Sequence, residues 1–493
     1  MFDKRLNSHK NQLSEVAKRF DASVRSASIP MVVGFGLCQL WISLCFFAPQ
    51  LFPENSSVMV YEMSLVLSAI ALVPCLVMAK RMECFLSNRT ALYALAVCAG
   101  IGTCIIPISS GESLGAFILQ VLAAALTGVS SGWLFVAWYQ AFCRADDLPG
   151  FVLSVVAASV FMYLITAIAL IPAITPWIFV LVASGIPVVS VYYLVRSPRS
   201  DNFVVEYHLP KRHTLPWRIL AVFCVSLFTV SFIDEFMRNY YLCGTDLAFY
   251  SGGLNLALQL LKIACSVVML SVISERDISG LYKASFLLTM IAVLFIPYST
   301  ISTEFFYGIT NFGAFLFKTI VIVVAFNYFR HFRTAPVIVF ALTRLTLSLD
   351  LLSGFALHEV IRCIMAFDEK FLGVTSVIMG LVLIAIYLFV FTKENTLPPL
   401  TMRTAAGTPV RDMLPSRCAR LARMGKLSKR ETEVLGLIAK GRSTPRIMEE
   451  LGLSKNTVNT HTSHIYQKLQ VHSRQELLDL LEHSAPEESE EQQ

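Results

Sequence analysis

Twelve apolar stretches fill the first 391 positions, most near the ~20 residues that cross ~30 Å of hydrocarbon as a helix. They run Met31 to Phe52, Val58 to Ala79, Ala91 to Ser109, Leu114 to Phe142, Phe151 to Pro172 and Trp177 to Val195; then Ile219 to Phe236, Phe249 to Ile273, Ala284 to Tyr298, Phe305 to Phe329, Pro336 to Leu357 and Leu372 to Phe391. The polar connection Arg196 to Arg218 separates six from six. This pattern predicts an all-α chain whose larger part is a twelve-helix transmembrane bundle. Beyond Phe391 it changes: Pro398, Pro399, Pro409 and Pro415 mark a linker, and an amphipathic stretch of helical period follows. The expected organisation is a leader (1–29), a twelve-span membrane domain (30–392), a linker (393–425), a small soluble module (426–483) and an acidic tail (484–493).

Charge supports this count of spans. Nineteen Lys and Arg residues fall in one alternate set of connections, including the leader, whereas the other set holds only Arg238, Arg362 and Lys370. Positive residues are retained on the cytoplasmic side during insertion, so both termini are expected in the cytoplasm of a multi-pass inner-membrane protein. Only 15% of residues are charged against 55% hydrophobic, which excludes a disordered chain or one ordinary soluble globule. The twelve cysteines are scattered with no C-x-x-C pair, so neither a disulfide framework nor a metal site is expected. The leader carries no convincing cleavage site, and the first span is expected to remain as an anchor.

The soluble module has clear helix boundaries. Ser428 with Glu431 forms a capping box, and Gly441 suits the end of a first helix. Ser443 caps a second helix that tolerates Pro445 in its first turn and closes at Gly452. One residue later Ser454 caps a third, and Ser473 with Glu476 caps a fourth. Two helices joined at Gly452 by so short a turn form a helix-turn-helix. Val434, Leu435, Ile438, Ile447, Leu451, Val458, Ile465, Leu469, Leu477, Leu478 and Leu481 would make one shared core.

The segments LSKRETEVLGLIAKG, LGLSKNTVNTH and HIYQKLQVHSRQEL resemble the LuxR-type helix-turn-helix family across Leu427 to Leu481. The resemblance implies a bacterial transcription regulator that binds double-stranded DNA, with Lys455 to Leu469 as recognition helix and the fourth helix available for homodimer contacts on DNA. Lys455, Asn456, Asn459, Thr460 and Ser463 can face base edges in the major groove, and Thr457, Lys468 and Arg446 are placed for phosphates. By resemblance, Asn459, Thr460 and Ser463 hold the base-reading positions. The family most often has Lys where this chain has Asn459, and an amide prefers adenine. From Lys393 to His483, 15 basic residues stand against 9 acidic ones, a balance suited to phosphate contact.

The six-plus-six layout with its basic central connection resembles the major facilitator architecture, whose halves enclose a site at mid-depth. The connection Lys80-Arg81-Met82-Glu83-Cys84 lacks the Gly and Asp of that family's loop sequence, and only Asp277 and Gly280 keep a fragment of it later. Intramembrane charges are costly and mark functional sites. Lys262, Lys318 and Arg344, with Asp350 two turns beyond, therefore form the candidate ligand site, three cations against one carboxylate and suited to a small anion. Asp234, Glu235, Arg238 and Glu62 are expected at a solvated rim. No nucleophile elbow, phosphate loop or metal-ligand cluster is found, so neither an enzyme nor a cofactor is expected. Two function classes follow: a membrane-bound one-component regulator whose partners are DNA, membrane lipid and an unknown small molecule, or a major-facilitator-like transporter carrying a regulatory DNA-binding domain. The altered loop favours the first.

Overall fold

The structure is a computed structural model that describes residues 24–47, 58–109, 113–169, 176–197, 217–242, 253–273, 279–295, 303–332, 335–364, 369–390, 420–439 and 444–471, with isolated positions beside these segments. The chain divides into two compact units, Met1–Thr404 and Ala405–Gln493. The described elements are all helical.

In the first unit every expected span is a helix: α1 (Ile29–Phe47), α2 (Val58–Val77), α4 (Arg89–Ile105), α5 (Leu114–Ala145), α6 (Leu148–Ala169), α7 (Pro176–Val195), α8 (Trp217–Leu242), α9 (Gly253–Ile273), α10 (Ser279–Phe295), α11 (Thr303–Phe332), α12 (Pro336–Ile364) and α13 (Glu369–Val390). Between α2 and α4 the chain makes a further short helix, α3 (Ala79–Phe85), where a loop was expected; Ala79 and Met82 bury on its inner face. Among the described residues, seven helices are long and apolar enough to cross a membrane and four more contain shorter apolar stretches. The remaining long helix, α8, carries Asp234, Glu235 and Arg238.

The two groups of six pack alike. In the first, α1 meets α6 and α7, α4 meets α5 and α7, and α2 meets α5; in the second, α8 meets α12 and α13, α10 meets α11 and α13, and α9 meets α11. These are the same five pairings, displaced by six spans. Between the halves α2 packs on α12 and α6 on α9, again an equivalent pair. Close approach needs small residues: a Cβ on Gly128 of α5 would lie 2.3 Å from the Ser64 carbonyl oxygen of α2, and one on Gly100 of α4 would lie 2.6 Å from that of Ser184 in α7.

Phe35, Trp138, Phe142 and Phe151 fill the first half, and Tyr282, Phe286 and Phe317 the second. Buried indoles keep partners, as an apolar interior requires: Trp41 Nε1 donates to Thr103 Oγ1 at 3.0 Å and Trp138 Nε1 to Ser190 Oγ at 3.0 Å. Large apolar side chains also point outward, among them Ile70, Leu181, Val374 and Leu388. Helices apolar on both inner and outer faces suit lipid contact rather than water.

In the second unit α14 (Lys429–Ala439), α15 (Thr444–Leu451) and α16 (Lys455–Leu469) surround a core of Val434, Leu435, Ile438, Ile447, Val458 and Ile465. Leu477 of the fourth helix joins that core, as do Cys418 and Leu421 from a turn of helix preceding α14. These last two belong to the segment expected as linker, so its end packs with the module. The rest of that linker, 393–417, and the tail 484–493 lie outside the described residues.

Candidate nucleic-acid interface and buried charge cluster

The capping box forms as the spacing requires: the Ser428 N–H donates to Glu431 Oε2 at 2.6 Å and the Glu431 N–H to Ser428 Oγ at 3.3 Å. Gly452, at φ +62°, makes the left-handed turn that ends α15, with the Leu453 N–H donating to the Met448 carbonyl at 3.2 Å. Ser454 then caps α16 by accepting from the Thr457 N–H at 3.2 Å. At the fourth helix the Glu476 N–H donates to Ser473 Oγ at 3.1 Å.

These caps orient α16. Val458 and Ile465 point into the core, whereas Asn456, Asn459, Thr460, Ser463 and Gln467 are exposed. Spacings of three and four place the five on one face, a polar stripe of amides and hydroxyls. The Thr460 hydroxyl donates back to the Asn456 carbonyl at 2.9 Å, which leaves its oxygen as an acceptor. Gln467 was not singled out from the sequence; its place four residues beyond Ser463 was the available signal.

Two expected phosphate contacts have other work in this structure. The Thr457 hydroxyl lies 2.8 Å from Ser454 Oγ and belongs to the cap. Lys468 Nζ donates to Glu431 Oε2 at 2.7 Å, tying the recognition helix to α14, with its side chain 40% exposed. That bond, with the Ser428 N–H, pulls the Glu431 carboxyl down to about 2, well below its ordinary value. The side chains of Lys455 and Arg446 lie outside the described residues.

In the first unit the structure corrects the expected rim. Asp234, Glu235 and Arg238 are buried. Lys318 Nζ donates to Asp234 Oδ2 at 2.9 Å, Asn311 Nδ2 to Asp234 Oδ1 at 3.2 Å, and Lys262 Nζ to Asn311 Oδ1 at 2.8 Å. Glu235 pairs with Arg238, whose guanidinium also lies over the Tyr61 ring of α2 at 5.3 Å. Of the expected trio of cations, Lys318 is therefore neutralised by Asp234, while Lys262 is tied to the same carboxylate only through the neutral amide of Asn311. Asp234 and Glu235 were missed because an apolar run ending in charges reads as a helix end, whereas α8 continues to Leu242. The seven-residue spacing of Asn311 and Lys318, two turns on one face of α11, was a usable signal.

Arg344 and Asp350 leave α12 on different sides, being six positions apart. Asp350 is fully buried, with neither oxygen in a hydrogen bond of good geometry, and faces Lys318 and Ser231. Arg344 faces the first half: its guanidinium lies over the Phe135 ring at 4.8 Å, within the electrostatic reach of Tyr139, Cys38, Asp350 and Tyr61. Tyr139 stacks on Phe340 at 4.4 Å. Arg344 Nε is sealed from solvent without a hydrogen-bond partner, and among the described residues its side chain makes no ion pair. Of the three cations expected at the ligand site, Lys318 makes an ion pair among the described residues, and Lys262 and Arg344 do not.

Residues 425–481 match the family of bacterial regulatory proteins, luxR family. Among curated relatives, the oxygen regulatory protein NreC of Staphylococcus carnosus (strain TM300) is 51% identical over 53 residues, covering 11% of this chain and 24% of NreC. The HTH-type transcriptional regulator MalT of Vibrio campbellii is 41% identical over 58 residues, covering 12% of this chain and 6% of its own. MalT of Yersinia pestis (strain Pestoides F) is 46% identical over 56 residues, with 11% and 6% covered. The chain spans about a quarter or less of the length of these curated relatives. Its C-terminal unit carries a LuxR-type DNA-binding helix-turn-helix domain.

Proposed function

We propose that this chain is a membrane-bound, one-component transcription regulator of the bacterial inner membrane, multi-pass, with both termini in the cytoplasm. The observation that carries the proposal is the joining, in one chain, of a capped recognition helix with an exposed polar stripe and a unit of twelve long helices whose outer faces are apolar. Asn456, Asn459, Thr460 and Ser463 read base edges, and the two recognition helices of a homodimer would engage paired half-sites. Lys468, held by Glu431, serves the phosphates less than its charge suggests.

The membrane unit is the sensor. Its equivalent halves have the arrangement expected of a major-facilitator-like bundle, and Arg344 lies where they meet. A small anion at Arg344 would supply the missing counter-charge, with Phe135 and Tyr139 against its apolar part. Such a ligand switches the protein only if it binds one arrangement of the halves better than the other. The test is a reporter under the chain's own upstream DNA, together with titration of residues 405–493 against that DNA at several salt concentrations. Binding that weakens as salt rises is expected; no binding at low salt would defeat the DNA assignment. Paired halves are also what alternating access uses, which keeps transport as the second reading, and concentrative uptake by vesicles holding the full chain would favour it.

A further inference from the structure

One cavity of the membrane unit has no part in either reading. About 490 Å³ in volume, it is lined by Ala79, Lys80, Glu83, Cys84 and Ser87, by Arg144 in the last turn of α5, and by Ala335 just before α12. All three elements meet there at helix ends, where an apolar helix leaves hydrocarbon. The first four positions fall on one side of α3. Next to them in the chain Val77 and Met78 are exposed large apolar side chains. A polar cavity and an apolar surface thus adjoin at one short helix.

The cavity's charge is not balanced by its own residues. Arg144 Nη2 donates to Ser87 Oγ at 2.9 Å and lies 3.4 Å from Glu83 Oε1, which fixes the guanidinium while leaving its other nitrogens without partners among the described residues. Lys80 is exposed and, among the described residues, makes no ion pair or hydrogen bond. Two cations therefore share one carboxylate. A planar guanidinium held at one corner, with an exposed ammonium lining the same cavity, suits an anion with several acceptor oxygens. Ala335 has a small side chain and leaves room on the far wall.

We infer that this cavity is a binding site for a phosphate-bearing anion, the headgroup of an anionic phospholipid or a free phosphate. Lys80 and Arg144 take the phosphate oxygens; for a lipid, the acyl chains would descend along Val77 and Met78. Basic sites between helices at the cytoplasmic boundary are suited to such headgroups. Because the lining comes from α3 and α5 of the first half and the start of α12 of the second, an occupant bridges the halves at that end. The inference takes from the proposed function that the chain spans a bilayer with this end on the cytoplasmic side.

The test uses the purified full chain in detergent and native mass spectrometry, with dioleoylphosphatidylglycerol added against dioleoylphosphatidylcholine. Wild type and Arg89→Gln, which removes an exposed cation outside the cavity, should retain one phosphatidylglycerol selectively. Lys80→Gln should weaken retention about fivefold, and Arg144→Gln at least as much. If Arg144→Gln fails to fold, Lys80→Gln decides the matter, since Lys80 holds nothing else in place. Millimolar inorganic phosphate that competes with the lipid identifies free phosphate as an occupant; Lys80-dependent retention that phosphate leaves untouched identifies the lipid. Equal retention by wild type and Lys80→Gln, or no preference over phosphatidylcholine, overturns the site.

Discussion

Replacing Glu431 by Gln isolates the charge that ties the recognition helix to α14. The carboxylate is 4% exposed and accepts from the Lys468 ammonium at 2.7 Å and the Ser428 N–H at 2.6 Å. Gln is the other residue that completes a capping box, so the variant keeps the cap and loses the ion pair. Depression of the carboxyl from 4.5 to about 2 corresponds to a ceiling of about 3 kcal/mol, at about 1.4 kcal/mol for each pH unit. Lys468 is 40% exposed and screened by water, which brings the expected cost of Glu431→Gln to about 1.5 kcal/mol. Glu431→Ala also removes the cap and should cost about 1 kcal/mol more.

The assay is urea unfolding of residues 405–493 followed by circular dichroism. A carboxyl depressed in the folded state adds stability that is complete above the unfolded value near 4.5 and is lost as pH falls toward 2. The gap between wild type and Glu431→Gln should therefore be full at pH 7 and shrink across that acid window. If the two unfold within about 0.3 kcal/mol of each other at pH 7, or if their gap does not change with acid, the ion pair does not hold α16 as described.

Asn459→Ala and Thr460→Ala should each cost about 1 to 3 kcal/mol at the specific site and little on unrelated DNA, measured by fluorescence anisotropy. Lys468→Ala should lower the unfolding midpoint of the module and change the salt slope of DNA binding by well under one unit; a loss of a full unit would make Lys468 a phosphate contact after all. Arg344→Gln should abolish ligand response in the reporter with the protein still inserted, whereas a response that survives it but not Lys262→Gln would move the anchor to α9. Asp234→Asn should lower the thermal midpoint of the full chain more than the double change with Lys318→Met, because a partly desolvated cation left without its carboxylate costs more than a neutral pair; additive effects would argue against the pairing. Gly128→Val should reduce the folded yield by forcing α2 from α5, and wild-type yield would contradict the close approach at Ser64.

Local physics made much of this protein legible from its sequence alone. Spans appear as apolar runs because a backbone in hydrocarbon must bond to itself, and one helix turn after another does so without distant partners. The caps at Ser428 and Ser454 and the turn at Gly452 are likewise local, each satisfied within a few residues, so the helix-turn-helix and its polar stripe could be read directly. The charges were different. Whether Asp234 ends a helix in water or pairs with Lys318 inside it depends on α8 and α11, 84 positions apart, coming together. The same is true of Lys468, whose partner Glu431 lies 37 positions earlier on another helix. Sequence could place these cations on helices but not say which were already neutralised. Only the packing separated Lys318 and Lys468, each held by a carboxylate, from Arg344, which makes no ion pair among the described residues, because the partner of a buried charge is set by contacts between helices and not by spacing along the chain.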